Sequence, residues 1–362
     1  MKFLIIFFVL FKIASGASEN DTEIVHVQIV SNHGVRTPLA QYPDNPNNIW
    51  SKYSRSTGQL TDVGMRQMLK SGRKLRAKYP HLSKTYDRTR AWAFSSDFDR
   101  NIQSAQLIMT GMYQPSEGYA NWTDDSTLSG FMPIPIRTAP SECDTIFRRH
   151  ATCARLIQLQ AEAKLNNSAK ENASTAFLYK MRCMSSIELT YYDLWKLGDK
   201  ALVDAAHNLT VEMYITQNLP RLMEIRDDNY FVTYLYSMEL AKLISGSLLN
   251  QLVTYFDRKI KATTDNEFYL YTGFEFYLGG LQRLLGTTTN FMQPDFGAQF
   301  SFELRKNSTN NYFVHTLYKN HADEEFKTVN ISGCEAFCPI EKLKTLVQDK
   351  IIINFDDACK AI

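Results

Sequence analysis

The N-terminal part of the chain alternates apolar strand-like runs with amphipathic helices, and this order restricts the fold more than any other feature. EIVHVQIVSNHG (23–34) alternates apolar and β-branched residues and then breaks at a polar turn. LTDVGMRQMLKSGRKLRAKYP (60–80) has helical spacing, an N-cap at Thr61 and a stop at its proline. AWAFSSDFD (91–99) and NIQSAQLIMTGMY (101–113) repeat the strand and the helix. The repetition predicts an α/β domain with a largely parallel sheet.

The middle of the chain has a different pattern. Residues 141–250 carry apolar residues at helical spacing with no clear strands between them, which predicts a mostly helical insertion. Strand-like runs return at EFYLYTG (267–273) and AQFSFELRK (298–306). We therefore predict an α/β fold in which helices flank a largely parallel central sheet and a smaller helical domain is inserted. The α/β domain would comprise 17–140 and 251–362, on either side of the insertion.

The first residues have the pattern of a targeting signal. MKFLIIFFVLFKIASGAS (1–18) has an early lysine, an apolar run and small residues, with Ala14 and Gly16 at the positions of a cleavage site. Lys12 interrupts the run, which is too short to span hydrocarbon comfortably. We predict a signal peptide at 1–16 and a secreted protein without a membrane anchor. The formal net charge of +2 argues against a nucleic-acid partner, and the sequence leaves the oligomeric state open.

The six cysteines all follow this segment, and an even number in a secreted chain predicts three disulfides. A zinc site is the alternative interpretation, but paired C-x-x-C units and neighbouring histidines are missing, so we expect no metal. Seven Asn-x-Ser/Thr sequons fit a glycoprotein: Asn20, Asn121, Asn166, Asn172, Asn208, Asn307 and Asn330.

Three short stretches lie at or near the ends of predicted strands: SNHGVRTP (31–38), FSSDFDR (94–100) and YTGFEF (271–276). Ligands of α/β proteins bind at the carboxyl ends of the strands. If the three strands are neighbours, these stretches therefore face one pocket.

The same stretches resemble the motifs of the histidine acid phosphatases. The family's Arg-His-Gly-x-Arg-x-Pro corresponds to NHGVRTP (32–38), and its Arg-Ser-Thr-Asp-x-Asp-Arg to FSSDFDR (94–100). Its late His-Asp pair falls on Phe274 and Glu275, within YTGFEFYLGGLQ. Further segments that resemble the family are GQLTDVGMRQ (58–67), PIPIRT (133–138) and SGCEAFCPIEKLKTLV (332–347). The resemblance covers nearly the whole chain after the signal segment.

In that family the opening histidine attacks phosphorus, three arginines and the late histidine bind phosphate, and the late aspartate protonates the leaving group. The resemblance places the nucleophile at His33 and one arginine at Arg36. The other positions are changed: Asn32 and Phe94 stand for two arginines, Phe274 for the late histidine and Glu275 for the aspartate.

These changes predict a large loss of phosphatase activity. Removing one preorganised donor costs about 10²–10³ in rate, so the loss of three predicts a fall on the order of 10⁴ or more. We therefore predict that the chain is not an enzyme and needs no cofactor. A weak acid phosphatase that works through His33 is the alternative. We interpret Asp97, Asp99 and Arg100 as supports for their loop.

The replacements also predict that the former active-site cleft binds small molecules. Two aromatic rings and a carboxylate suit a ligand with an ammonium group, which each ring would stabilise by about 0.5–2 kcal/mol and Glu275 would pair with. The predicted ligand-binding residues are Asn32, His33, Arg36, Phe94, Phe274 and Glu275. Alternatively, Phe94 and Phe274 fill an inactive cavity.

A secreted, glycosylated chain with such changes also resembles the acid-phosphatase-like salivary proteins of blood-feeding insects, fleas in particular. This resemblance implies sequestration of host mediators: biogenic amines such as serotonin and, more weakly, leukotrienes, whose carboxylate would meet Arg36 and His33. A further alternative is a protein-binding component in which the pocket has no role. We interpret Tyr42 and Trp50, in the loop 38–58, as surface or packing residues.

The resemblance to the histidine acid phosphatases also implies disulfide pairs. Cys334 with Cys338 resembles the family's short local bridge, and Cys153 with Cys359 its long link from the helical domain to the C-terminus. Cys143 with Cys183 is the remaining pair.

Overall fold

The computed structural model describes residues 18–39, 57–114, 127, 131–147, 153–185 and 188–361. The predicted signal peptide, Tyr42, Trp50 and the sequon at Asn121 lie outside these ranges, so cleavage after Gly16 and secretion stay predictions. Within the described ranges, no helix has the length and apolar character needed to cross a membrane.

The described strands form one mixed sheet. The strands are β1 (Thr22–Asn32), β2 (Ala91–Ser95), β3 (Phe268–Gly273), β4 (Gln299–Asn307), β5 (Tyr312–Lys319), β6 (Lys327–Thr328) and β7 (Phe337–Pro339). Their order across the sheet is β2-β3-β1-β4-β5-β6, and β7 also pairs with β5. Strands β1, β2 and β3 are mutually parallel, whereas the C-terminal strands extend the sheet in antiparallel pairs.

The helices surround this sheet and fill the middle of the chain, which confirms the predicted α/β class. They are α1 (Asp62–Lys78), α2 (Asp99–Met112), α3 (Ala154–Asn166), α4 (Ser168–Ala173), α5 (Thr175–Ser185), α6 (Leu194–Ala206), α7 (Met213–Thr216), α8 (Leu219–Tyr230), α9 (Met238–Ile260), α10 (Glu275–Leu285), α11 (Ile340–Val347) and α12 (Phe355–Ala358). The predicted domain boundary at residue 250 falls inside α9, and the chain re-enters the sheet at Phe268.

Strand β1 is the centre of the core because apolar side chains cover both of its faces. Val27 and Ile29 pack in a cluster with residues of α1 and α2, whereas Val30 packs in a second cluster with residues of α9 and α10. These three side chains are fully buried, and each such burial contributes about 1.5–3 kcal/mol. The sheet is therefore the middle layer of three.

The helical region has a hydrophobic cluster of its own. Met181 of α5, Leu194 and Leu197 of α6, and Leu222 and Ile225 of α8 are buried together. This cluster allows α5 to α8 to form a separate layer beside the carboxyl ends of the parallel strands, where Asp199 of α6 reaches the loop after β1.

Two of the disulfides that the resemblance implied are present. Cys153, just before α3, is bonded to Cys359, and Cys334 is bonded to Cys338. The predicted bond between Cys143 and Cys183 is wrong, since both are free thiols on exposed residues. Cys143 lies in a turn after residue 140, whereas Cys183 lies on α5.

The N-terminus of α1 packs directly on the loop that follows β1. Thr61 caps the helix: its hydroxyl accepts a hydrogen bond from the Gly64 amide (3.2 Å) and donates one to the Val35 carbonyl (3.0 Å). A Cβ added at Gly64 would lie 2.1 Å from that carbonyl oxygen, and one at Gly34 would lie 2.6 Å from the Gly64 carbonyl oxygen. Glycine is needed at both positions because the two backbones are in contact.

We expect Gly64→Ala to destabilise the protein by about 1–3 kcal/mol, because the loop after β1 must move to admit the methyl group. Gly198→Ala on α6 is the matched control: its Cβ would meet only atoms at 3.6 Å or more, and alanine favours the helix by about 0.5–1 kcal/mol. Chemical denaturation measures the free energy of unfolding of both variants. Equal stability of the two would contradict the close contact.

Candidate active site

The carboxyl ends of the three parallel strands lie side by side at one edge of the sheet. Asn32 of β1 is in register with Gly273 of β3, and Ser95 of β2 with Thr272 of β3. The three stretches singled out in the sequence are therefore neighbours. At this edge they surround a cavity of about 290 Å³, called here the main cavity.

His33 lines the main cavity in the form that a nucleophile needs. Its ring Nδ1 donates a hydrogen bond to the Gly34 carbonyl at 2.8 Å, which leaves the lone pair of a neutral imidazole on Nε2. Burial, followed by the positive charges of Arg100 and Arg36, holds the pKa of His33 well below its ordinary value. The imidazole therefore stays unprotonated in mildly acidic solution.

Arg36 lies beside His33 and forms a buried ion pair with Asp199 of α6. Its two terminal nitrogens donate to the two carboxylate oxygens at 2.9 and 2.8 Å, and Nη1 also donates to the Thr37 carbonyl at 3.3 Å. The Nε–H takes part in none of these bonds. Arg36 can thus still donate to a ligand, but Asp199 offsets most of its charge.

Arg100 is a residue of the cavity that the sequence analysis assigned to a supporting role. Its guanidinium carbon lies 4.8 Å from the centre of the Phe274 ring and 5.3 Å from that of Phe98. Nη1 donates to the Gly58 carbonyl at 3.2 Å, and the buried Nε has no hydrogen-bond partner in the part of the chain that the structure describes. Burial, and next the charge of Arg36, lowers the pKa of Arg100 to about 10, so it is a cation at physiological pH.

Phe274 and Glu275 line the main cavity as the sequence predicted. The Phe274 ring meets the His33 ring edge to face with centroids 6.1 Å apart. Glu275 is the first residue of α10, and its carboxylate accepts a hydrogen bond from Gln293 at 3.2 Å. The two residues bring an apolar face and an acid to the same wall.

Asn32 and Phe94 do not line the main cavity, contrary to the predicted ligand set. The Asn32 amide is held by backbone groups: Nδ2 donates to the Asp295 carbonyl, and Oδ1 accepts from the His33 amide, each at 2.9 Å. Phe94 is buried in an aromatic stack between Trp92 and Phe147, with centroids 5.6 and 6.0 Å away. Both side chains therefore support the site from below, and Phe147 presents the ring that reaches the cavity.

A second cavity of about 270 Å³ adjoins the main one on the side of the helical region. The two share Arg36, Leu39, Tyr234 and Glu275 in their walls. Among the described residues, no cluster of three or more His, Cys, Asp or Glu side chains is placed to hold a metal ion.

The sequence of this chain identifies its family. Residues 23–319 match the model of the Histidine phosphatase superfamily (branch 2), and the chain belongs to that family.

Several curated proteins are similar over most of this chain. Lysosomal acid phosphatase from Xenopus laevis is 26% identical over 353 residues, which cover 93% of this chain and 79% of that protein. Testicular acid phosphatase from Homo sapiens is 29% identical over 344 residues, covering 89% and 78%. Prostatic acid phosphatase from Homo sapiens is 25% identical over 351 residues, covering 93% and 88%.

Solved structures confirm the fold. The phytase from Citrobacter braakii superposes with a TM-score of 0.69 at 12% identity, covering 94% of this chain and 100% of that one. Hafnia alvei phytase in complex with myo-inositol hexakis sulphate superposes with a TM-score of 0.66 at 14% identity, covering 95% and 100%.

The prediction that the chain is not an enzyme is wrong. Relatives aligned over 89–93% of this chain are named acid phosphatases, which points to an enzyme. The prediction counted charges only at the positions where the resemblance places phosphate-binding groups. It therefore omitted Arg100, which the fold turns toward His33 and Arg36. A signal for this was present, because Arg100 is the one arginine that remains in FSSDFDR.

We expect the imidazole of His33 to stay neutral when the pH falls from about 7 to about 5, because its lowered pKa delays protonation. Its ring-proton NMR signals, assigned by their loss in His33→Asn, should not shift over this range. A titration centred near the ordinary histidine value of about 6.5 would contradict the prediction.

Proposed function

We propose that the protein hydrolyses phosphate monoesters with His33 as the nucleophile. The observation that carries the proposal is the state of His33: a neutral imidazole whose Nδ1 is bonded to the Gly34 carbonyl. Its remaining nitrogen is free to attack in a cavity that also contains two arginines and two carboxylic acids, Asp97 and Glu275. Such an arrangement of nucleophile, cationic donors and general acid is what phosphoryl transfer requires.

The proposed reaction has two displacements. In the first, Nε2 of His33 forms a bond to phosphorus while the bond to the ester oxygen breaks, and Glu275 gives its proton to the departing oxygen. In the second, water attacks phosphorus, the phosphorus–nitrogen bond breaks, and Glu275 takes the proton from the water. Phosphate and the free imidazole are released, so the protein ends unchanged.

The lining of the cavity favours a monoester with an apolar leaving group. Aromatic rings of Phe98, Phe274, Phe276 and Tyr234 face the same space as Glu275. Such rings bury an aryl group well and give little to a leaving group that carries several negative charges. At least two phosphate donors of the family are missing, because Phe274 offers no hydrogen bond to phosphate and the Asn32 amide is bound by backbone groups. We therefore expect slow turnover, with a loss of about 10²–10³ for each missing donor.

Turnover of 4-nitrophenyl phosphate at about pH 5 tests the proposal. We expect His33→Ala to abolish turnover and Glu275→Gln to lower kcat by about 10²–10⁴, because the acid is lost while the shape is kept. Glu341→Gln, on α11 outside the cavity walls, is the matched control and should leave kcat unchanged. Full activity of folded His33→Ala would refute the proposal.

Amine binding in the same cavity is a second candidate function. One observation favours it: Glu275 lies among Phe98, Phe274, Phe276 and Tyr234, which suits an aromatic ammonium compound. A leukotriene would place its carboxylate against Arg36 and Arg100 and its chain along the rings. Either ligand would bind where the ester binds, so binding and hydrolysis would compete.

Calorimetric titration with serotonin tests this candidate. We expect saturable binding at one site, inhibition of turnover that rises with serotonin, and at least about tenfold weaker affinity in Glu275→Gln, since the paired charge is lost. Glu341→Gln again serves as the control. Absence of both heat and inhibition would remove serotonin as a ligand.

A further inference from the structure

The residues around His33 that correspond to the family's phosphate-binding positions supply little positive charge for a bound phosphate, and Arg100 lies close enough to add to it. A phosphate monoester carries one to two negative charges, yet His33 is neutral and Arg36 is paired with Asp199. The family's remaining phosphate-binding positions hold Asn32, Phe94 and Phe274, which carry no charge. Fixed positive charge near the equatorial oxygens is nevertheless the main source of catalysis in phosphoryl transfer.

Arg100 supplies a positive charge that no ion pair in the described part of the chain neutralises. No carboxylate oxygen there lies within 4.0 Å of its nitrogens. Its buried Nε finds no hydrogen-bond partner among the described residues, and the hydrogen bond that it forms with them goes to the neutral carbonyl of Gly58. An unsatisfied, partly buried guanidinium costs stability, and an anion in the cavity would relieve that cost.

The two arginines are close enough to repel each other. The charge of Arg36 is the largest cause after burial of the lowered pKa of Arg100, and the carboxylates of Glu275, Asp199 and Asp99 offset this only in part. Both cations also act on His33. A dianion bound beside His33 would therefore interact favourably with both guanidinium groups.

The aromatic residues at this site hold Arg100 in place. Phe274, at the position of the family's late histidine, lies under the guanidinium at 4.8 Å, and Phe98 flanks it at 5.3 Å. A planar guanidinium stacked on a ring keeps its edge N–H groups available for hydrogen bonds. Phe274 thus replaces one phosphate donor of the family, the late histidine, and at the same time orients Arg100 as a different donor.

We propose that Arg100 binds the phosphoryl group together with Arg36, and so replaces the arginine that the family carries at the position of Phe94. The inference rests on the proposed function for its catalytic part. Its binding part does not, because an anion site at Arg100 would take inorganic phosphate whether or not the protein hydrolyses esters.

Two measurements on the full chain test the assignment: the Kd of inorganic phosphate by calorimetry, and kcat and KM for 4-nitrophenyl phosphate. In Arg100→Met we expect Kd to rise at least about tenfold, as for a lost charged hydrogen bond, and kcat/KM to fall about 10²-fold. Arg100→Lys keeps the charge but lacks the planar guanidinium, so its Kd and kcat/KM should lie between those of Arg100→Met and the wild type. If Arg100→Met does not fold, Arg100→Gln replaces it with the same expectation.

Arg258→Met is the matched control. The guanidinium of Arg258 also stacks on an aromatic ring, that of Tyr255 at 4.8 Å, but it lies on α9 and outside both cavity walls. It should leave Kd and kcat/KM unchanged, so loss of a stacked arginine alone cannot mimic the effect.

The outcomes separate this inference from the proposed function. A folded Arg100→Met protein with Kd and kcat/KM within about twofold of the wild type would overturn the role of Arg100 and leave hydrolysis standing. A wild type that binds phosphate through Arg100 but releases no 4-nitrophenol would overturn hydrolysis and support the anion site. A wild type that does not bind phosphate would overturn the assignment.

Discussion

The buried ion pair between Arg36 and Asp199 connects the two parts of the molecule and determines the charge of the cavity. Arg36 follows β1 in the sheet region, whereas Asp199 belongs to α6 in the helical region. Breaking a buried pair by removing one partner costs about 3–5 kcal/mol, because the other charge is left without compensation. The pair therefore holds the helical region over the strand ends. Asp199 also offsets most of the positive charge that Arg36 could otherwise present to a ligand.

The other residues of the site compensate for the charge that Arg36 loses to Asp199. His33 is kept neutral by burial and by neighbouring cations, so its nucleophilicity survives in acidic solution. Among the described residues that line the main cavity, the remaining full positive charge is that of Arg100, and the rings of Phe98 and Phe274 lie against it. The apolar wall and the positive charge thus lie side by side, and in the proposed hydrolysis the wall favours an aryl leaving group.

A residue's position in a motif does not specify where its side chain lies. Phe94 stands where the family has an arginine, but its ring turns into a stack with Trp92 and leaves the cavity wall to Phe147. The backbone binds the Asn32 amide at both ends. The direction of a side chain at a strand end depends on the packing beneath it, which no local pattern contains. The unpaired Cys143 and Cys183 follow the same rule, because pairing requires proximity that spacing does not specify.

The sequence by itself determined the α/β class and the helical middle, since periodicity and the order of elements specify which faces must be buried. It predicted that His33, Arg36, Phe274 and Glu275 share a pocket on the condition that their strands are neighbours, and the pairing in the sheet fulfils that condition. Only the tertiary structure decided the state of the charges. Asp199 is 163 residues away from Arg36 along the chain. Coulomb interactions depend on distance in space and on burial, not on position in the chain.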